Sequence, residues 1–397
     1  MYKITMKSVF VASAFLVGVS SCFAQDILVN SLKLNASDKS KENFKFTEVI
    51  NLGTTSVKSQ GSSGTCWSYS TNSFLESEMI RLGKQPVELS QIFSARNVYV
   101  EKGVNYVRMH GAISLGDGGA LHDVINMYKK YGTVPREVYT GLNYGTDKNK
   151  FGEMGALIEA VLAAVVKNPN GELTPNWQKA YAAVIDSYLG KVPDNFNYKG
   201  KNYTPQSFAK EVVGINPDDY IEFSNYKDSP YYQKMVLPVP DNWSYDQLYN
   251  VPMTELTDII DYALDKGYTV AWSSDVSEPY FSWKNGVAFV PNMDLYNITD
   301  EQKKTLFDGP MPEKDINEDI RLEGLYSLYT TDDHAMQIVG SAKDQNGRTY
   351  YKVKNSWGET NDYKGYLYVT KAFVQLKSTG IVLHKNGISK TLKNKLK

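Results

Sequence analysis

The sequence predicts an α+β fold of two facing lobes, one helical and one an antiparallel, barrel-like β unit. Three observations predict it. Apolar residues fall at helical spacing early in the chain, as at Phe74, Leu75 and Met79 within 67–82. Beyond residue 266 the period shortens to that of strands, at 269–272, 336–340, 349–354 and 365–369. Between them, 143–250 has its own texture: helices at 156–166, 177–189 and 204–213, joined by connections rich in Asn, Asp, Pro and Tyr. That stretch reads as a large inserted helical block.

Residues 1–24 read as an export signal. Lys3 and Lys7 precede an apolar run, 8–19, that is too short to span a bilayer comfortably. Cys22-Phe23-Ala24 fits a cleavage site that leaves Gln25 first. Val19-Ser20-Ser21-Cys22 also fits a bacterial lipoprotein signal, with Cys22 lipidated. Both alternatives place the protein outside the cytoplasm, periplasmic or extracellular. No other stretch is long and apolar enough for an integral membrane span. Of the two cysteines, plain cleavage leaves Cys66 alone, so no internal disulfide can form. A lone thiol outside the cytoplasm is open to oxidation, which suggests that its chemistry is used.

Residues 25–45 form a polar lead-in. Residues 46–142 form the helical lobe, with an extended entry at 46–59 and the helix 67–82 stopped by Gly83. A second helix opens at Ser90, and Gly116-Asp117-Gly118-Gly119 makes a tight turn before a third at 120–131. Residues 251–397 form the β lobe with its tail. It begins with an amphipathic helix, 254–266, and passes through a polar, loop-like stretch at 292–330. Apolar content of 42% supports a sizeable core, and 29 tyrosines suit cleft walls with polar tips. Net charge is -1, so no global field recruits nucleic acid, and no nucleic-acid-binding motif occurs.

The chemistry centres on Gln60-Gly61-Ser62-Ser63-Gly64-Thr65-Cys66-Trp67. A cysteine at a helix N-terminus meets unsatisfied amides and a dipole that favour thiolate. Gln60, on the same loop, carries a side-chain N–H that can serve an oxyanion. A thiol nucleophile needs an imidazole and a group to orient it. Of four histidines, His334 opens a strand, while His110, His122 and His384 read as ordinary surface or core residues. Asn355 ends the next strand, in Asn355-Ser356-Trp357-Gly358, where its amide oxygen can accept the imidazole N–H and Trp357 can shield that bond. No cluster has metal-ligand spacing, and no cofactor is called for.

These blocks, with Asp333-His334-Ala335, resemble the three catalytic blocks of papain-like cysteine peptidases. Gly118 and Gly119 resemble that family's substrate-binding glycines, whose backbone pairs with the peptide. Two departures narrow the match. Ser63 stands where the common signature has a second cysteine, and the Cys66–His334 interval is about twice the 130–150 residues of the common form. Both features resemble the bleomycin hydrolase and aminopeptidase C branch. The resemblance implies a papain-like two-lobed fold with a large helical insertion.

It implies roles as well. Cys66 attacks the peptide carbonyl, His334 moves the proton, Asn355 orients His334, and Gln60 with the Cys66 backbone N–H holds the oxyanion. Gly118, Gly119, Trp357 and Asp333 fall at the substrate-binding surface. Cys66 and His334 rest as an ion pair, with Asp333 adding a negative charge that favours imidazolium. Peptides are the implied partners, along with a homo-hexamer in which the C-terminal arm lies in the cleft and its carboxylate captures the substrate's free amine. The tail here, 389–397, is lysine-rich. The Lys397 carboxylate taking that part and a solvated, frayed end both stay open. The functions in view are a cysteine aminopeptidase, a papain-like endopeptidase, and an inactive peptide- or glycan-binding surface protein.

Overall fold

The computed structural model describes residues 43–168 and 171–397. The signal 1–24, with Cys22, and most of the lead-in lie outside the described residues. Three helices make the first lobe: α1 (Cys66–Arg81), α2 (Gln91–Arg108) and α3 (Leu121–Tyr131). Ser90 starts α2, its hydroxyl accepting the Phe93 N–H at 3.0 Å. Nearly every residue of α1 is buried, so this helix is central rather than amphipathic. Within the insertion, α4 (Gly152–Val166) and α5 (Asn176–Leu189) pack on each other and on α2. Their Leu162, Tyr181 and Ile185 join the same core as Phe74, Leu75 and Val98. A side chain at Gly103 of α2 would strike the Tyr181 ring, its Cβ 2.3 Å from a ring carbon, so glycine permits that close approach.

Eleven strands form one open, mixed sheet. They are β1 (Thr47–Asn51), β2 (Tyr220–Ser224), β3 (Lys234–Val236), β4 (Gln247–Asn250), β5 (Val270–Ser274) and β6 (Phe281–Ser282). Then come β7 (Val287–Ala288), β8 (His334–Lys343), β9 (Thr349–Lys354), β10 (Tyr366–Thr370) and β11 (Ser378–His384). Their order is β3-β4-β2-β11-β5-β8-β9-β10-β7-β6, with β1 added to β8. The sheet does not close into a barrel, and β2–β4 and β7–β10 pair in parallel. A second core lies on it, where Leu256, Ile259 and Ile260 of α6 (Met253–Asp265) meet Trp272, Ile338 and Val353.

Residues 220–250, expected within a helical block, supply three strands instead. Tyr220-Ile221-Glu222-Phe223-Ser224 favours a strand, and its partner is β11, whose run Ile381-Val382-Leu383 is buried on both faces. Residues 204–213 form a short helix, Pro205–Phe208, running into a wider π-type turn, Ala209–Val213.

The two cores are locked in register by a polar seam. Ser70, Ser73 and Ser77 share one face of α1. Ser70 Oγ donates to the Met336 carbonyl of β8, Ser73 Oγ donates to Gln337 Oε1 at 2.7 Å, and Gln337 Nε2 donates to Ser77 Oγ at 2.9 Å. Buried hydrogen bonds are directional and costly to break, so this seam fixes how the start of α1 lies against the start of β8.

The tail is ordered. Ser389 caps the turn Lys390–Lys393, Leu392 is buried, and Leu396 packs on the β-lobe core. The Lys397 N–H donates to the Tyr232 carbonyl at 3.0 Å, and Lys395 pairs with Glu255 at 2.9 Å.

Candidate active site

The loop before α1 is stapled without a disulfide. Ser63 Oγ donates to the Gln60 carbonyl at 2.8 Å and lies 2.7 Å from Thr65 Oγ1. Ser62 and Lys150 form a bridge, with the Ser62 N–H on the Asn149 carbonyl at 2.8 Å. Asn149 Nδ2 donates to the Gln60 carbonyl at 3.1 Å and to Tyr69 Oη at 2.9 Å. Gly61 has φ +62, and a Cβ there would meet the Asn149 carbonyl at 2.7 Å, so glycine is required twice over. The stretch 149–151, at the start of the insertion, thus holds the loop in place.

This places Cys66 as the first residue of α1, buried at 5% exposure. A largely enclosed cavity has Cys66, His334, Ala335 and Gly119 in its wall. His334 opens β8, paired with Ser274 of β5. On the other side Gln337 pairs with Lys354 of β9, so continuing that register carries 355–357 alongside 334–336. His334 Nε2 accordingly lies 2.8 Å from Asn355 Oδ1. That oxygen also accepts the Ser356 N–H at 2.7 Å, so it acts as the acceptor and Nε2 carries the proton. The Nδ1 lone pair is left to take a proton from a thiol. Trp357, at 2% exposure, lies over the imidazole with ring centres 4.6 Å apart and is itself packed by Trp283 and Phe281.

Gln60 is fully buried. Its Oε1 accepts from Ser356 Oγ at 2.7 Å and its Nε2 donates to the Ser63 carbonyl at 2.7 Å. An amide nitrogen carries two hydrogens, so one remains for an oxyanion. The Gln60 N–H on the Ser356 carbonyl at 2.9 Å ties the loop of Cys66 directly to the segment of Asn355.

Gly119 lines the cavity, while Gly118 is absent from its wall and faces the Asp241 carboxylate. Lys102, 1% exposed, reaches the Gly116 and Gly118 carbonyls at 2.8 Å each and so sets the glycine turn.

One electrostatic expectation changes, the charge expected of Asp333 beside His334. Burial pushes His334 down to about 4, and the Asn355 bond pulls it up by less, so the imidazole is neutral unless a charge partner forms beside it. Asp333 is not that partner. Its Oδ1 accepts the Val276 N–H at 2.9 Å, and burial together with Asp275 holds its carboxyl well above the usual range. It therefore serves the end of β5, although it also borders the cavity. Trp357 shields His334 and is absent from the cavity wall. Nor does the tail reach the cavity, which no described residue beyond Ala335 lines.

The remaining wall was not legible in the sequence. Glu222 of β2, Leu237 and Asp241 from the β3–β4 connection, and Asp332 join Leu121 and Ala120 there. Asp332 is pushed up to about 8 by burial and by Asp241. His122, expected to be ordinary, is held charged. Burial opposes its charge, but Glu222, 2.8 Å from Nδ1, with Asp123 and Asp246, raises it to about 10. Only Asp332, two positions before His334, could have been suspected; Glu222 and Asp241 carry no local signal.

Known proteins share this plan. The solved structure of PepW from Lactobacillus rhamnosis superposes with a TM-score of 0.66 at 21% identity, covering 92% of this chain and 86% of that one. Aminopeptidase G of Lactobacillus delbrueckii subsp. lactis is 26% identical over 402 residues, 90% of this chain and 87% of its own length. The mitochondrial cysteine proteinase 1 of Saccharomyces cerevisiae (strain YJM789) is 23% identical over 420 residues, 94% and 82% of the two lengths. The family model described as the Peptidase C1-like family matches residues 188–397, more than half of the chain and the part that carries His334 and Asn355. The fold is papain-like, and the chain belongs to the Peptidase C1-like family.

Proposed function

We propose that this protein is a cysteine peptidase of the aminopeptidase C and bleomycin hydrolase type. The observation that carries the proposal is the cavity shared by Cys66, at a helix N-terminus, and His334, whose Nε2 is held at 2.8 Å by Asn355. Cys66 attacks the peptide carbonyl as His334 Nδ1 takes its proton. The carbonyl oxygen, now negative, is met by the Cys66 N–H and the second Gln60 amide hydrogen. His334 returns the proton to the leaving amine, the acyl thioester remains, and water attacks it with His334 as base. Aminopeptidase action is supported by the relatives named aminopeptidase and by the acidic residues Glu222, Asp241 and Asp332 in the cavity wall.

Export of the chain through its N-terminal segment, with or without a lipid on Cys22, and assembly into a homo-hexamer belong to the same proposal. Light scattering of the purified protein tests the latter.

The deciding assay compares 4-nitroanilides of alanine, leucine and lysine with their N-acetyl forms. Free-amine substrates are expected to be cleaved at least about tenfold better in kcat/KM, the scale of one lost charged hydrogen bond. Equal cleavage of blocked substrates would make the protein an endopeptidase, and no cleavage of either would leave the binding-protein alternative.

A further inference from the structure

We infer that the substrate's α-ammonium is held by Glu222, Asp241 and Asp332, at the wall of the Cys66 cavity built largely by the insertion, rather than by the chain's C-terminal carboxylate. This rests on the aminopeptidase reading above and names the residues that enforce it.

Geometry carries the inference. Cys66 and His334 form one part of the cavity wall, and Glu222, Asp241 and Asp332 another, with Ala120, Leu121, Leu237 and Ala335 completing it. The Glu222 side chain is only 9% exposed. Its Oε2 receives His122 Nδ1 at 2.8 Å, and among the described residues no donor meets its Oε1. A carboxylate oxygen that borders an enclosed cavity without a donor is an acceptor awaiting a ligand. Asp241 adds two more. Its carboxylate lies over bare Gly118, where a Cβ would fall 2.0 Å from Oδ2, and no hydrogen bond reaches it among the described residues. Among the described residues Asp332 receives only Thr379 Oγ1, at 3.3 Å.

Charge makes the same point. The protein's own cations near this wall act on Asp241 and Asp332 through space, but they hydrogen-bond to other groups. Lys102 is turned to the glycine carbonyls, and the His122 imidazolium faces Glu222 through Nδ1 and Asp246, 3.7 Å away, through Nε2. Burial raises the proton affinity of both carboxyls and Asp241 raises that of Asp332 further, while Lys102 and His122 pull them down only in part. An ammonium placed there supplies a further cation and up to three donors. Glu222 and Asp241 both come from 220–250, so that stretch supplies two of the pocket's acidic groups. A peptide continuing past its first residue would bring an uncharged amide and more chain against these groups.

The tail cannot supply the acid in this arrangement. Leu392 is buried, Leu396 packs on the β-lobe core, and the Lys397 N–H lies on the Tyr232 carbonyl.

The test uses the full-length enzyme, Asp241→Asn, Asp332→Asn and a form lacking only Lys397, with the 4-nitroanilides above. Asp241→Asn is expected to raise KM for free-amine substrates at least about tenfold while kcat changes far less. Removing Lys397 is expected to leave KM within twofold. A KM split of that kind would not follow from a general loss of structure. If Asp241→Asn fails to fold, Asp332→Asn carries the same expectation. Inhibition of the wild-type enzyme by butylamine but not by butanol checks it without any substitution. The inference is overturned if wild type prefers free amines yet both carboxamide variants keep its KM, if loss of Lys397 raises KM, or if butanol inhibits as well as butylamine. A wild type with no preference for free amines overturns the aminopeptidase reading itself.

Discussion

Cys66→Ala is expected to abolish hydrolysis of every peptide substrate, by at least ~10⁴-fold in kcat, while the protein stays folded. The loss is large because no other group in the cavity wall can form the acyl intermediate. Asp241, Asp332 and Asp333 are drawn toward their protonated forms, and the hydroxyl of Ser273, also on the wall, sits in β5 and is hydrogen-bonded to the Gly380 carbonyl at 3.2 Å and to Thr379 Oγ1 at 2.9 Å. Stability should change little. Cys66 contributes one sulfur to a cavity edge, while α1 is held by the serine seam to β8 and by the core around Phe74 and Leu75. Denaturant midpoint and kcat, measured on the same preparation, check both parts. Retained turnover would remove Cys66 from the mechanism.

Trp357→Ala is expected to have the largest effect on stability of any residue at the site, a loss of about 3–5 kcal/mol. The indole is packed by Trp283 at 5.3 Å and Phe281 at 6.2 Å between ring centres, and it roofs His334. Its removal opens a cavity and lets water reach the His334–Asn355 bond. A buried hydrogen bond is stronger than a wet one, so kcat should fall along with stability. Trp357→Phe refills part of the space and should recover most of both. A denaturation midpoint unchanged in the alanine variant would contradict this packing.

What was legible in the sequence followed from how local each signal is. Cys66, His334 and Asn355 could be found because each sits in a short block whose neighbours explain it. The Gly turn was legible for the same reason, although Lys102, which sets it, is a helix residue with no visible cue. Asp333 borders the cavity, but its carboxyl accepts the Val276 N–H and is raised by burial and Asp275, so it does not supply the charge that its place beside His334 suggested. The tail's lysines concealed its two leucines, which do the docking. Strands β2 to β4 were hidden by the helices before them, and so were Glu222 and Asp241, whose role depends on pairing with β11 far along the chain. Likewise, the negative charge expected of Asp333 beside His334 is suppressed by burial and by Asp275, neither of which its place in the sequence reveals.

The central claim is that Cys66 and His334 form one acid–base couple. It is tested most directly by following the His334 ring by NMR as pH is lowered, in wild type and in Cys66→Ala. Without the thiol, burial alone governs the imidazole, and it should stay neutral down to about pH 4. In wild type, a proton passing from Cys66 leaves a thiolate that stabilises the imidazolium, so His334 should hold its charge to a clearly higher pH. Identical midpoints in the two proteins would show that the thiol and the imidazole do not act together.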